Sequence, residues 1–215
     1  MDAVLDNLDL YWQGFRTTLS LAALSAVLAL TLGTLLATMR VSPVRPLRAA
    51  GATYVEIVRN TPLTLVFFFS VFVLPQIDIR LSFFVFAVIA LTVYHTAFFC
   101  EAVRSGINSV AAGQAEAARS IGLTFGQSLR LVILPQAFRT VIPPIINVVI
   151  ALIKNTAIAA AFRVLDATAV GEQVANANSD QVIQVLVGVA LCYLVITLPA
   201  GWLAEVLERR VAFSA

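Results

Sequence analysis

The sequence predicts an all-α membrane protein with five transmembrane helices, and three observations carry that prediction. Sixty percent of the 215 residues are hydrophobic and only 12% are charged, with a mean hydropathy of +0.93. An ordinary soluble domain carries about 25% charged residues, so there are too few charges here to cover a globule against water. Several uncharged runs are long enough to cross about 30 Å of hydrocarbon. The basic residues, finally, gather on alternate connections between those runs. A net charge of +2 without a dense basic run excludes the usual kinds of nucleic-acid binder. Cys100 and Cys192 lie far apart in apolar stretches, with neither a disulfide framework nor metal-ligand spacing, and read as packing residues.

The spans follow in order. The first covers residues 15–39 around an uncharged run. Asp2, Asp6 and Asp9 precede it where a secretory signal needs positive charge, so it reads as a span rather than a leader. Ser25, Ala29, Gly33 and Ala37 repeat every fourth residue and put small side chains on one face. Such a seam suits close helix packing, either within the chain or against another subunit. The second span covers 52–75 and the third 81–103; the fourth, 138–162, contains one charge in its apolar run, Lys154. The fifth covers 181–207. Their Gly and Pro residues are tolerable in membrane helices.

Lys and Arg set the expected orientation. Arg40, Arg45 and Arg48, then Arg104, Arg119, Arg130 and Arg139, then Arg209 and Arg210 lie on one side. Arg16, Arg80 and Arg163 lie on the other, diluted by seven carboxylates. The bias puts the N-terminus outside and the C-terminus in the cytoplasm.

The region 105–137 is the one long polar connection. Asn108 or Ser109 is expected to cap a short helix over 111–120, with Gly122 as its left-handed terminator. Thr124 and Gln127 form a capping-box pattern that starts a second helix carrying Leu129, Leu131, Val132 and Leu134 up to Pro135. Held between two spans, this helix–glycine–helix element suits docking of a soluble partner.

Here the chain resembles a family. Glu116-Ala117-Ala118, then Gly122, then Val132-x-Leu134-Pro135 resembles the EAA signature of bacterial ABC-importer permeases, with Val132 where Ile is more usual. Further similarity to polar amino-acid permeases lies in residues 56–63, in Tyr94 with residues 101–107, and in 113–115. Lys154-Asn155-Thr156 resembles a Lys-Asp-Thr stretch, with Asn155 replacing the usual Asp. The resemblance implies the MetI-like permease fold and a glutamate-uptake type of importer. It implies that Glu116, Ala117, Ala118, Gly122, Leu134 and Pro135 belong to a coupling loop lodged in a cytoplasmic ATPase dimer. It also implies a second permease subunit, identical or not, and an extracytoplasmic amino-acid-binding protein.

The chain has no phosphate-binding G-x-x-x-x-G-K-[ST] loop, and its only histidine is His95. It is therefore not expected to be an enzyme or to hold a cofactor itself; ATP and Mg belong to the partner ATPase. Charge inside a span is costly and normally faces protein or water. Arg59, about two turns into the second span, and Lys154 are the two cases, with Glu56 three residues before Arg59 able to offset part of its charge. With Thr61, His95, Asn155 and Thr156 they form the candidate substrate pathway: cations for carboxylates, and neutral groups for the remaining polar atoms. An amide at Asn155 can donate to an acidic side chain that an aspartate would repel, which favours glutamate over arginine or lysine. Aspartate, glutamine or another polar amino acid remains an alternative substrate. The same charges also suit simple joining of spans. An ion-coupled carrier and a membrane scaffold are the competing classes; no internal repeat supports the first, and the buried charges argue against the second.

Overall fold

A computed structural model describes residues 2–212, which form helices joined by short connections. The side chains of Arg139 and Arg210, both counted in the charge bias, lie outside the described set. A first turn, α1 (Asp2–Leu5), leads into α2 (Leu8–Val41), and α3 (Arg45–Arg59) and α4 (Leu63–Phe68) follow. Next come the long α5 (Phe83–Ser109), the connecting helices α6 (Ala112–Ser120) and α7 (Phe125–Ser128), and α8 (Leu134–Asn155). Helices α9 (Ala167–Ala177) and α10 (Val182–Ala212) complete the chain. Among the described residues four segments are long and apolar enough to cross a membrane, or five where a bent pair counts as one span.

Helix α5 is the centre of the bundle. It is capped by Ser82, whose hydroxyl accepts from the Val85 amide, and it buries residues along its whole length. The small-residue stripe of α2 lies against it: Ser25, Ala29 and Ala37 are fully buried. A Cβ at Gly33 would come within 2.7 Å of Phe99 Cβ and 2.9 Å of the Thr96 carbonyl. The seam is therefore used inside the chain. Nearer the C-terminal end of α5, a Cβ at Gly106 would overlap the Val141 side chain of α8.

The second span is not one helix. Segments Arg45–Arg59 and Leu63–Ile77 meet at 102°, so Arg59 sits at a corner rather than two turns into a straight helix. Pro62 has no N–H and disfavours a helical conformation for Thr61. The Ile57 carbonyl, which the Thr61 amide leaves for Val58, is taken by Thr61 Oγ1 at 2.8 Å, and Asn60 Nδ2 adds a second bond to the Glu56 carbonyl at 2.8 Å. That local satisfaction is what permits irregular backbone in a membrane protein.

Two wide π turns, Phe69–Val73 and Leu129–Ile133, each precede a Leu-Pro pair. Opening the helix by one residue removes the clash between a proline ring and the preceding turn. Pro135 consequently does not end the loop's second helix, which runs on into α8. Asn108 and Ser109 do not cap α6 either. They continue α5, where Ser109 Oγ donates to the Gly106 carbonyl at 2.7 Å and meets Thr140 Oγ1 of α8 at 2.9 Å. The break falls instead at Val110 and Ala111, both with extended backbone.

At the opposite end of the bundle Asp166 is wholly buried and caps α9. Its Oδ1 accepts from the Ala169 amide at 3.0 Å and its Oδ2 from the Tyr193 hydroxyl of α10 at 3.0 Å. Thr18 of α2 accepts from the Ala167 amide at 3.1 Å, so α9 is tied to two spans. Burial pushes the Asp166 carboxyl up to about 6, against the hydrogen bonds that favour its charged form. The folded chain therefore binds this proton more tightly than the unfolded one, whose carboxyl titrates near 3.8. The resulting stabilisation is complete below pH ~4 and is lost as pH rises to ~6, a change of about 3 kcal/mol. Thermal unfolding of wild type and Asp166→Asn in detergent, between pH 4 and 7, should show this decline in the wild type and not in the variant; parallel profiles would contradict it.

Candidate functional site

Two regions carry the residues singled out in the sequence. The first is the meeting of α5 with the end of α8. His95 is 2% exposed, and its Nδ1 lies 2.9 Å from the Leu91 carbonyl. A carbonyl only accepts, so Nδ1 carries the hydrogen, and Nε2 is left to accept from Asn155 Nδ2 at 3.2 Å. With the Asn155 amide nitrogen turned towards it, the imidazole is the neutral tautomer that donates through Nδ1.

Asn155 ends α8, and Thr156–Phe162 tightens into a 3-10 turn. Thr156 is buried and spends its hydroxyl on the Ile153 carbonyl at 2.6 Å, so its part here is to hold the break. Lys154 points elsewhere, since successive helical residues are about 100° apart. It is exposed, and among the described residues no carboxylate lies within 4.0 Å of its ammonium. Thr61 is partly exposed, bonded to its own helix, and makes no hydrogen bond to His95 or Asn155.

The Arg59 side chain does not pair with Glu56. It reaches across to Glu101 of α5 at 3.8 Å, with its guanidinium carbon 5.8 Å from the centre of the Phe98 ring. Phe98 in turn lies 6.2 Å from the His95 ring. The six predicted pathway residues thus divide. His95 and Asn155 come together, while Thr156 turns its hydroxyl back to Ile153; Arg59 lies over Phe98 and reaches Glu101; Lys154 and Thr61 join neither group. Glu101 did not enter the predicted pathway, although Arg104 three residues on marks a paired helix face. Arg104 bonds it at 2.8 Å and Arg40 of α2 also pairs with it.

The second region is the connection between α5 and α8. Helix α6 ends in a Schellman motif: the Leu123 amide donates to the Ala118 carbonyl at 3.1 Å and the Gly122 amide to the Arg119 carbonyl at 2.9 Å. Gly122 has φ +87°, and nothing lies within 4 Å of where its Cβ would be. Glycine is needed there for backbone conformation, not for space. Thr124 and Gln127 form the expected capping box. Glu116 and Ala117 face outward while Ala118 is 3% exposed and seats the helix. Leu134 packs on the α5–α8 core and Pro135 is exposed. Ile121, Phe125 and Leu131 also face outward, giving the knob an apolar contact surface.

This architecture is that of a transport component with a protruding loop. Residues 29–213 match the family of binding-protein-dependent transport system inner membrane components. The chain belongs to that family; it is a membrane transport component and not an enzyme. It is 40% identical over 208 residues to the probable glutamine ABC transporter permease protein GlnM of Bacillus subtilis, covering 97% of this chain and 96% of that one. It is also 40% identical to the glutamate transport system permease protein GluC of Corynebacterium glutamicum, over 92% of each chain. The L-cystine transport system permease protein TcyB of B. subtilis is 36% identical over 92% of this chain and 85% of that one. A crystal structure of an amino acid ABC transporter with histidines superposes with a TM-score of 0.88 at 29% identity, covering 96% of both chains. An inward-facing structure of the MetNI methionine ABC transporter shares the fold, with a TM-score of 0.67 at 21% identity over 93% of this chain and 95% of that one.

Proposed function

We propose that this chain is the permease subunit of an ATP-binding-cassette importer that carries a polar amino acid, glutamate in the first place, into the cytoplasm. One observation carries the reading: the protruding loop joins the two helices that hold His95 and Asn155. A push on α6 and α7 is delivered to α5 and α8 together, and so to the contact between them. The relatives named for glutamine and glutamate support the substrate class, and membership of a binding-protein-dependent family disfavours an ion-coupled carrier.

In this reading the N-terminus is outside, and the α6–α7 loop meets a cytoplasmic ATPase dimer that holds the ATP and Mg. Glu116 makes polar contact there and Ile121, Phe125 and Leu131 make apolar contact. A second permease completes the path, and an extracytoplasmic binding protein delivers the amino acid. The 102° corner before α4 and the 3-10 turn after Asn155 are the places where the spans hinge in alternating access. His95, Asn155 and Arg59 face the substrate in turn. Asn155 offers an amide where a carboxylate would repel an acidic side chain.

Gly122→Val strains a β-branched residue into a left-handed position, and Glu116→Lys reverses a contact charge. Both variants should insert normally, and both should lose solute-stimulated ATP hydrolysis in the reconstituted complex. Coupled transport at wild-type rate in both would remove the coupling assignment. Asn155→Asp should weaken glutamate uptake about tenfold or more relative to glutamine, since two carboxylates ~4 Å apart repel by more than the ~1.4 kcal/mol this represents. An unchanged glutamate-to-glutamine ratio would take Asn155 out of the side-chain contact.

A further inference from the structure

A cavity of about 380 Å³ opens where Arg59 reaches towards Glu101. Arg40, Arg59 and Arg104 line it, with Glu56, Glu101 and Asn60. Three guanidiniums face two carboxylates, and all three arginines converge on one of those, Glu101. A single carboxylate cannot saturate three five-donor forks. The shortfall shows in two places. Arg104 Nε is buried without a hydrogen-bond partner. Arg59 reaches Glu101 only at 3.8 Å, and its side chain is 47% exposed, against 16% for Arg40. Glu56 lines the same cavity without an ion pair among the described residues.

We propose that this cavity is a carboxylate-binding station, distinct from the His95–Asn155 contact, with Arg59 as the mobile member that leaves Glu101 to hold the incoming carboxylate. The ligand is the carboxylate of an amino acid that has passed Phe98. This rests on the permease reading above for its biological use, though not for its chemistry. Arg40 and Arg104 stay on Glu101 and keep α2 and α5 joined while Arg59 exchanges partners. The one excess positive charge attracts an anion. The shared carboxylate keeps the attraction weak enough for release.

The test uses the full chain in its assembled complex, in phosphatidylcholine nanodiscs with both faces open, carrying Cys100→Ala and Cys192→Ala. Asn60→Cys places a thiol on the exposed wall of the cavity. Relative to their rates with a free thiol in solution, an anionic sulfonatoethyl methanethiosulfonate should label it at least ~10-fold faster than the cationic trimethylammonium analogue, the scale on which a charged cleft concentrates ions. Arg59→Gln should bring the ratio close to one, Arg59→Lys should keep it, and Glu101→Gln should raise it. L-glutamate should slow labelling by the anionic reagent, and glycerol phosphate should protect less well. A ratio near one in the Asn60→Cys protein, or a ratio indifferent to Arg59→Gln, would overturn the station. So would a fall with Glu101→Gln, which marks a purely structural ion-pair cluster. Stronger protection by glycerol phosphate than by glutamate would overturn the carboxylate assignment in favour of a phosphate headgroup. Uptake measured on the same complex separates the two readings: anion-selective labelling without amino-acid uptake leaves the station and removes the transport role, and uptake without selective labelling does the reverse.

Discussion

The close approach of α2 to α5 is the contact on which the rest of the structure depends. Lipid tails are as apolar as leucine, so membrane helices associate through packing rather than through a hydrophobic drive. Ser25, Ala29, Gly33 and Ala37 let the two backbones meet, and Phe99 fills the space that a side chain at Gly33 would need. This fixes the rotation of α5 about its axis. His95, Phe98 and Glu101 all project from α5, so their directions follow from the seam. Gly106 repeats the device further along α5, against Val141 of α8, the helix whose end brings Asn155 to His95.

Against that rigid centre, the irregular backbone is placed where change is useful. Pro62, the two π turns before Pro75 and Pro135, and the 3-10 turn after Asn155 each interrupt a helix. At two of them a side chain takes up a backbone carbonyl locally, Thr61 that of Ile57 at the corner and Thr156 that of Ile153 at the end of α8. Local uptake of this kind is what allows irregular backbone in a membrane protein.

What could be read from the sequence was what depends on local chemistry. Uncharged runs marked the apolar helices, and the glycine-terminated loop could be placed because Gly122, Thr124 and Gln127 act on neighbours within a few residues. Long-range geometry was less legible. Glu56 looked like the partner of Arg59 because helix spacing put both on one face, yet the carboxylate that Arg59 reaches is 42 positions away on α5. Likewise Ser109 has the chemistry of a helix cap, but burial of Gly106 and Ile107 against α8 prolongs α5 through it. Asp166 has the local chemistry of a helix cap, which the Ala169 amide uses, but its burial and its bond to Tyr193 come only from the packed bundle.

The chain belongs to a family of inner-membrane transport components, and in the proposed function the loop, the two helices it joins and the His95–Asn155 contact act as one mechanical unit. The proposed selectivity follows from the charge of that contact: an amide and a neutral imidazole where a carboxylate would suit a cationic substrate. The most direct measurement is ATP hydrolysis by the reconstituted complex, driven by its binding protein and scanned across amino acids. The account predicts stimulation by L-glutamate or its amide and none by L-arginine or L-lysine. Equal or stronger stimulation by the cationic amino acids would contradict it.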